Sequence, residues 1–135
     1  MIVVDTDVVS AFWIRGGRTS VARQARKRDG DWVVPPLWRS EFRSVLRQYL
    51  VGGYVSLGQA LWFAEKAEAD LRGRERATGT ADVLRLVERT GHSAYDCEYV
   101  ALAEAEGARL VTGDRTVARL FPTTAVLLED FAAGG

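Results

Sequence analysis

The chain has a single cysteine, Cys97, and a single histidine, His92. One cysteine cannot close an internal disulfide, so a reducing compartment, the cytoplasm, is expected. One Cys and one His also leave too few soft ligands for a zinc site, and the same scarcity weakens nucleophilic cysteine or Ser/His chemistry. His92 reads as a local capping or packing residue and Cys97 as core. Long apolar runs are missing too: none approaches the roughly 20 residues that a membrane span needs. The opening Met1-Ile2-Val3-Val4-Asp5 puts no basic segment ahead of its apolar residues, which argues against a secretory signal. Repeats, low-complexity stretches and linkers are absent, so the 135 residues are expected to form one domain over 1–135. Lysine is nearly absent: Lys27 and Lys66 are two of the 18 bases, and the other 16 are arginine.

What is present is unevenly charged. Net charge is zero, but residues 15–47 carry nine bases against three acids, and residues 48–135 carry nine bases against thirteen acids. Arginine holds phosphate and carboxylate with a planar fork. The basic stretch is either a solvated helix face or a surface that meets phosphate or an acidic partner.

The pattern alternates strands and helices. Ile2–Val4 is a short β-branched run and reads as a buried strand. A short helix opens at Asp5-Thr6-Asp7, since Asp and Thr are good N-caps. Residues 18–28 read as a basic helix, Trp32–Val34 as a second strand, and Leu37–Leu50 as a helix with Trp38, Phe42, Val45 and Tyr49 on its apolar face. Residues 57–71 form another helix, with Leu57, Leu61, Ala64 and Leu71 on one face. Helices over 81–90 and 93–106, a strand over 109–112, a short helix over 115–121 and a last strand over 125–128 follow. The stretch 73–80 has no readable pattern. The whole predicts an α/β sandwich with a mainly parallel sheet.

Four carboxylates fall in telling places. Asp5 follows the first strand, and Asp114 follows the strand ending at Thr112 across one glycine. In an open parallel sheet, strand C-terminal ends face the usual ligand crevice. Glu41 lies beside an apolar stripe, and Asp96 is followed at helical spacing by Tyr99, Val100 and Ala103, so both helix acids face inward. Buried charge needs a partner or a shifted pKa. Each acid also has a local explanation: Ser93-x-x-Asp96 fits a capping box, Glu41 can pair with an arginine, and Asp5 and Asp114 can cap helices. Gathered together, they would need protons or cations, and oxygen-only ligands suit Mg²⁺ or Mn²⁺. A carboxylate-held metal pair serves in-line hydrolysis of a phosphodiester, as in nucleic acid. On the 57–71 helix, Trp62 and Phe63 project roughly 120–140° from the assigned stripe, which means a broad core or a protein interface.

With these residues in place, the sequence resembles a PIN-domain ribonuclease, close to the VapC-type toxins of toxin–antitoxin modules. The resemblance rests on Met1-Ile2-Val3-Val4-Asp5-Thr6, on Ser40-Glu41-Phe42, on Ser93 through Ala103 with Gly107-Ala108, and on Leu110-Val111-Thr112-Gly113-Asp114. It spans nearly the whole chain and is weakest over 55–85. It implies a three-layer α/β/α sandwich and an RNA endonuclease masked by a cognate antitoxin. It further implies Asp5, Glu41, Asp96 and Asp114 as Mg²⁺/Mn²⁺-binding catalytic acids, with Thr112 in support through its hydroxyl. An antitoxin groove near Trp62 and Phe63 and a symmetric homodimer are also implied. Asp7 departs from the family, which usually has Asn or Ser there; it is either an extra ligand or supporting group, or a source of added repulsion.

Other readings stay open at this point. Ile2-Val3-Val4-Asp5-Thr6-Asp7 resembles the opening motif of haloacid-dehalogenase phosphatases, with Asp5 as nucleophile and Asp7 as acid/base, but no lysine follows Lys66. A non-enzymatic α/β binding module and a PIN nuclease of RNA processing are the remaining alternatives.

Overall fold

The computed structural model describes residues 1–135. In chain order the elements are β1 (Ile2–Val4), α1 (Thr6–Trp13), α2 (Thr19–Arg28), β2 (Trp32–Val33), α3 (Trp38–Val51) and α4 (Leu57–Asp70). They continue with α5 (Thr80–Thr90), α6 (Ala94–Glu106), β3 (Arg109–Thr112), α7 (Arg115–Leu120), β4 (Ala125–Leu127) and α8 (Leu128–Ala132). The four strands form one sheet in the order β2-β1-β3-β4, and every pairing is parallel.

The strands are short and apolar because both sheet faces are covered. Side chains alternate between faces. Ile2, Val4, Trp32, Val111 and Val126 join one core with residues of α1–α4 and α8. Val3, Val33, Leu110 and Ala125 join a second core with α5, α6 and α7. The result is the expected three-layer α/β/α sandwich, with Cys97 fully buried in the second core.

Three expectations need correction. The inward face of α3 is Trp38, Phe42 and Leu46, while Tyr49 is exposed. The inward face of α4 is Ala60, Ala67 and the following Leu71, whereas Leu57 and Leu61 are exposed. Large apolar residues mark α4's outer side, because small ones let the helix sit close to the core. Finally, β4 stops at Leu127, and α8 follows where no helix was expected; Leu128 and Phe131 anchor it. The unreadable stretch is held by non-local bonds: Val34 bridges to Glu75, with Arg76 N–H donating to the Val34 carbonyl at 2.9 Å.

Candidate active site

The parallel register sets Val4 beside Val111, so the C-terminal ends of β1 and β3 lie side by side. The next residues along both chains build the site. Asp5 caps α1, accepting from the Val8 N–H at 3.1 Å through Oδ1. Its Oδ2 accepts from the Thr112 hydroxyl and from the Gly113 N–H at 3.2 Å. Thr112 is fully buried, and its oxygen in turn accepts from the Asp114 N–H at 3.0 Å. Asp114 caps α7 through Oδ1, which accepts from the N–H groups of Thr116 at 2.7 Å and Val117 at 3.2 Å. Both strand-end acids are therefore helix caps, and both also face the same cleft.

Two helices close the cleft from either side of the sheet. From α3, Glu41 accepts from the hydroxyls of Tyr99 at 2.6 Å and Thr6 at 2.9 Å, both at Oε1. It makes no arginine pair. From α6, Asp96 meets His92 Nε2 at 2.7 Å through Oδ2. The capping box does not form: Ser93 accepts from the Tyr95 N–H instead. His92 is thus more than a local cap, since it holds one of the cleft's acids. A cleft of about 60 Å³ is lined by Asp5, Thr6, Asp7, Glu41, Asp96, Tyr99 and Asp114.

Electrostatics tie the acids together. Burial, followed by repulsion from Asp7, pushes the Asp5 carboxyl up to about 7, against the lowering pull of its bonds to Thr112, Val8 and Gly113. Asp7 sits exposed at the mouth. Lost hydration raises it, Arg18 draws it down, and Asp114 and Asp96 push it up again. Burial and the neighbouring Glu41 keep the Tyr99 phenol protonated, so it remains a donor. Unit charges 4 Å apart repel by about 4 kcal/mol at an effective dielectric of about 20, so this cleft favours an added proton or cation. As they stand, no three of these side chains close around one point tightly enough to hold an ion. Glu41, Asp96 and Asp5 are turned to Tyr99, His92 and Thr112, and a cation would compete with those bonds. The donor chemistry still fits a hard divalent ion, being carboxylate and hydroxyl oxygen throughout.

Sequence reasoning brought Asp5, Asp7, Glu41, Asp96, Asp114 and Thr112 forward, and folding gathers all six. It passed over Thr6, Tyr99 and His92. Tyr99 left a readable signal: a tyrosine on an inward helix face needs a partner for its hydroxyl. Trp62 and Phe63 lie elsewhere. Trp62 is 50% exposed, while Phe63 packs against the first core. With Phe12, Trp13, Tyr49 and Tyr54 they line a separate groove of about 740 Å³.

Comparison with known proteins matches this architecture. A curated relative, Ribonuclease VapC3 of Pyrobaculum aerophilum, is 29% identical over 130 residues, covering 90% of this chain and 95% of its own. The crystal structure of PAE2754 from Pyrobaculum aerophilum superimposes with a TM-score of 0.77 at 21% identity, covering 98% of this chain and 93% of that one. The PIN domain pattern matches residues 2–120, from the first strand to the end of α7. The chain therefore belongs to the PIN domain family.

Proposed function

We propose that this protein is a Mg²⁺- or Mn²⁺-dependent endoribonuclease and the toxin of a toxin–antitoxin pair. The observation that carries the reading is the convergence of Asp5, Glu41, Asp96 and Asp114 on one cleft at the sheet's C-terminal edge. The similarity to Ribonuclease VapC3 supports both the RNA substrate and an antitoxin partner.

Asp5, Glu41, Asp96 and Asp114 would hold the ion, and Asp7 at the mouth adds a fifth carboxylate. When bound, the ion supplies Lewis acidity for in-line displacement at phosphorus. Thr112 fixes Asp5, Tyr99 and Thr6 fix Glu41, and His92 fixes Asp96, each by the hydrogen bond described. These bonds set the direction of each carboxylate in the free protein, and an ion that binds there takes over part of them. The PIN match leaves the haloacid-dehalogenase reading of Asp5 and Asp7 without support.

The aromatic groove with Trp62 and Phe63 is the proposed antitoxin surface: exposed, continuous and separate from the acids. No helix is long and apolar enough to cross a membrane. A cytoplasmic homodimer of the single 1–135 domain completes the proposal.

The test is cleavage of RNA by the purified protein in Mg²⁺, Mn²⁺ or EDTA, with Asp96→Asn beside wild type. Cleavage that needs the metal and is lost in the variant supports the reading. Cleavage retained in EDTA or in Asp96→Asn defeats it.

A further inference from the structure

The arginine-rich stretch was one feature of the sequence that the acid site did not absorb. Several of its bases are held elsewhere in the fold. Arg26 forks onto Asp70, with both bonds at 2.8 Å, and Arg39 holds Glu75. Arg15 and Arg23 border the aromatic groove. Arg18 differs. Its guanidinium lies against the turn that holds Asp5: a Cβ placed on Gly113 would sit 3.1 Å from Arg18 Nη1 and 3.0 Å from Asp7 Oδ2. Its charge draws Asp7 downward.

Arg18 is held in that position from the other side. Its Nε and Nη2 donate to Glu129 Oε1 at 3.1 and 2.8 Å. Glu129 stands in the first turn of α8, the helix that the sequence pattern did not reveal, and Leu128 and Phe131 fix that helix in the core. Burial raises the Glu129 carboxyl, but its own N–H, Arg18 and then Arg115 outweigh this and keep it an anion. Arg115 directly follows Asp114. A single carboxylate thus sits under the influence of two arginines, one of which reaches the Gly113 turn beside Asp7. The side chains of Arg18 and Glu129 are 43% and 51% exposed, so solvent and solutes reach the pair. Exposed pairs of this kind are weak and exchange readily.

We propose that Arg18 is a phosphate-binding residue of the cleft, and that Glu129 is an internal anion that a backbone phosphate of the RNA displaces. The inference rests on the ribonuclease reading. A guanidinium fork accepts a phosphate as it accepts a carboxylate. A phosphate at Arg18 would lie beside Asp7 and the Gly113 turn, next to the carboxylates that attract a cation. Glu129 keeps the fork extended in the free protein and lowers affinity by competing for it.

The experiment measures KM and kcat on a short RNA oligonucleotide that wild type cleaves, for Arg18→Ala, Glu129→Gln and the double variant, with melting curves for each. Arg18→Ala should raise KM roughly tenfold, the worth of one charge-assisted contact, with a smaller effect on kcat. It should also make binding less salt-dependent, by about one counterion. Glu129→Gln should lower KM about two- to fivefold, the range of an exposed ion pair. In the Arg18→Ala background, Glu129→Gln should leave KM unchanged. A purely structural clip between α2 and α8 gives the opposite pattern: both single variants lower the melting temperature and neither moves KM. That result overturns the proposal, as does a Glu129→Gln gain that persists without Arg18. If Arg18→Ala fails to fold, the direction of the Glu129→Gln effect decides alone. Wild type that cleaves no RNA brings down the ribonuclease reading itself, a different failure from a cleaving enzyme indifferent to Arg18.

Discussion

Tyr99 on α6 donates its phenolic hydrogen to Glu41 on α3 across 2.6 Å, a bond that spans the two helices flanking the cleft. The ring sits in the buried face of α6, and only its oxygen reaches the acids. This explains why a tyrosine fills a core position: its body packs and its tip orients a carboxylate. Tyr99→Phe keeps the packing and removes the bond. Hydrogen bonds to charged groups contribute about 1.5–3 kcal/mol, and Thr6 retains part of the interaction here. We expect urea unfolding to register a loss of roughly 1–2 kcal/mol and RNA cleavage to fall by less than in Glu41→Gln. If Glu41→Gln cleaves at the wild-type rate, neither residue belongs to the reaction.

Asp5 makes the metal-free protein sensitive to pH. Its carboxyl titrates near 7 when folded, against 3.8 in the unfolded chain. Below about pH 4 both states hold the proton, and no penalty arises. Between about 4 and 7 the unfolded chain releases it while the folded chain keeps it, so stability declines as pH rises. Above about 7 the penalty is complete, on the order of 4 kcal/mol before local relaxation. Asp7 is raised as well and acts in the same direction. Melting curves in EDTA should therefore fall from pH 5 to pH 8 more steeply for wild type than for Asp5→Asn. Mg²⁺ should restore wild type most strongly at the higher pH, where Asp5 is ionised. Parallel curves for the two proteins would remove Asp5 as the cause.

The strand-end acids were legible because their placement is local. A β-branched run followed by Asp is a strand and then a cap, and parallel pairing does the rest. Thr112 was brought forward by the family resemblance alone, since nothing local in the pattern marks its hydroxyl as a partner of Asp5. The helix faces were less so. On α3, apolar residues at 38, 42, 45, 46 and 49 support two overlapping stripes, and only packing chooses Leu46 over Tyr49. On α4, the buried Ala60 and Ala67 carry little hydrophobic signal, while the exposed Leu57, Leu61 and Trp62 carry much. α8 spans five residues without a side-chain cap, too short to show a period. Its loss from the sequence reading hid Glu129 and with it the setting of Arg18.

Gly113 is required by close approach rather than by backbone conformation. A Cβ there would lie 2.6 Å from Asp7 Cβ, and that atom is fixed by the first turn of α1. The Arg18 tip can swing away, but Asp7 Cβ cannot, so the β3–α7 turn must shift. The same turn presents the Gly113 N–H to Asp5. Gly113→Ala should cost about 1–3 kcal/mol, the usual range for overpacking. It should also reduce cleavage out of proportion to the lost stability, measured well below the variant's melting temperature. A variant that loses stability but cleaves normally at low temperature would show that the turn's position is not critical to the acids.

Trp62 separates the two surfaces of the molecule. It is half-exposed on α4, its ring 5.6 Å from that of Phe63 in an edge-to-face contact, with Lys66 Nζ 5.5 Å above it. Phe42, by contrast, is 2% exposed. Phe42→Ala should destabilise by about 3–5 kcal/mol, as large-to-small core changes do. Trp62→Ala removes a ring that is only half covered, so it should lower the melting temperature much less than Phe42→Ala and leave the cleavage rate close to wild type. If the groove is the antitoxin surface, the same change should weaken antitoxin binding by 2 kcal/mol or more, about 30-fold, as expected of an aromatic anchor. Isothermal titration with a candidate antitoxin, a small protein encoded immediately upstream of this chain's gene, measures this directly. Full affinity in Trp62→Ala would move the antitoxin to another face, while a fall in stability comparable to that of Phe42→Ala would return Trp62 to the core.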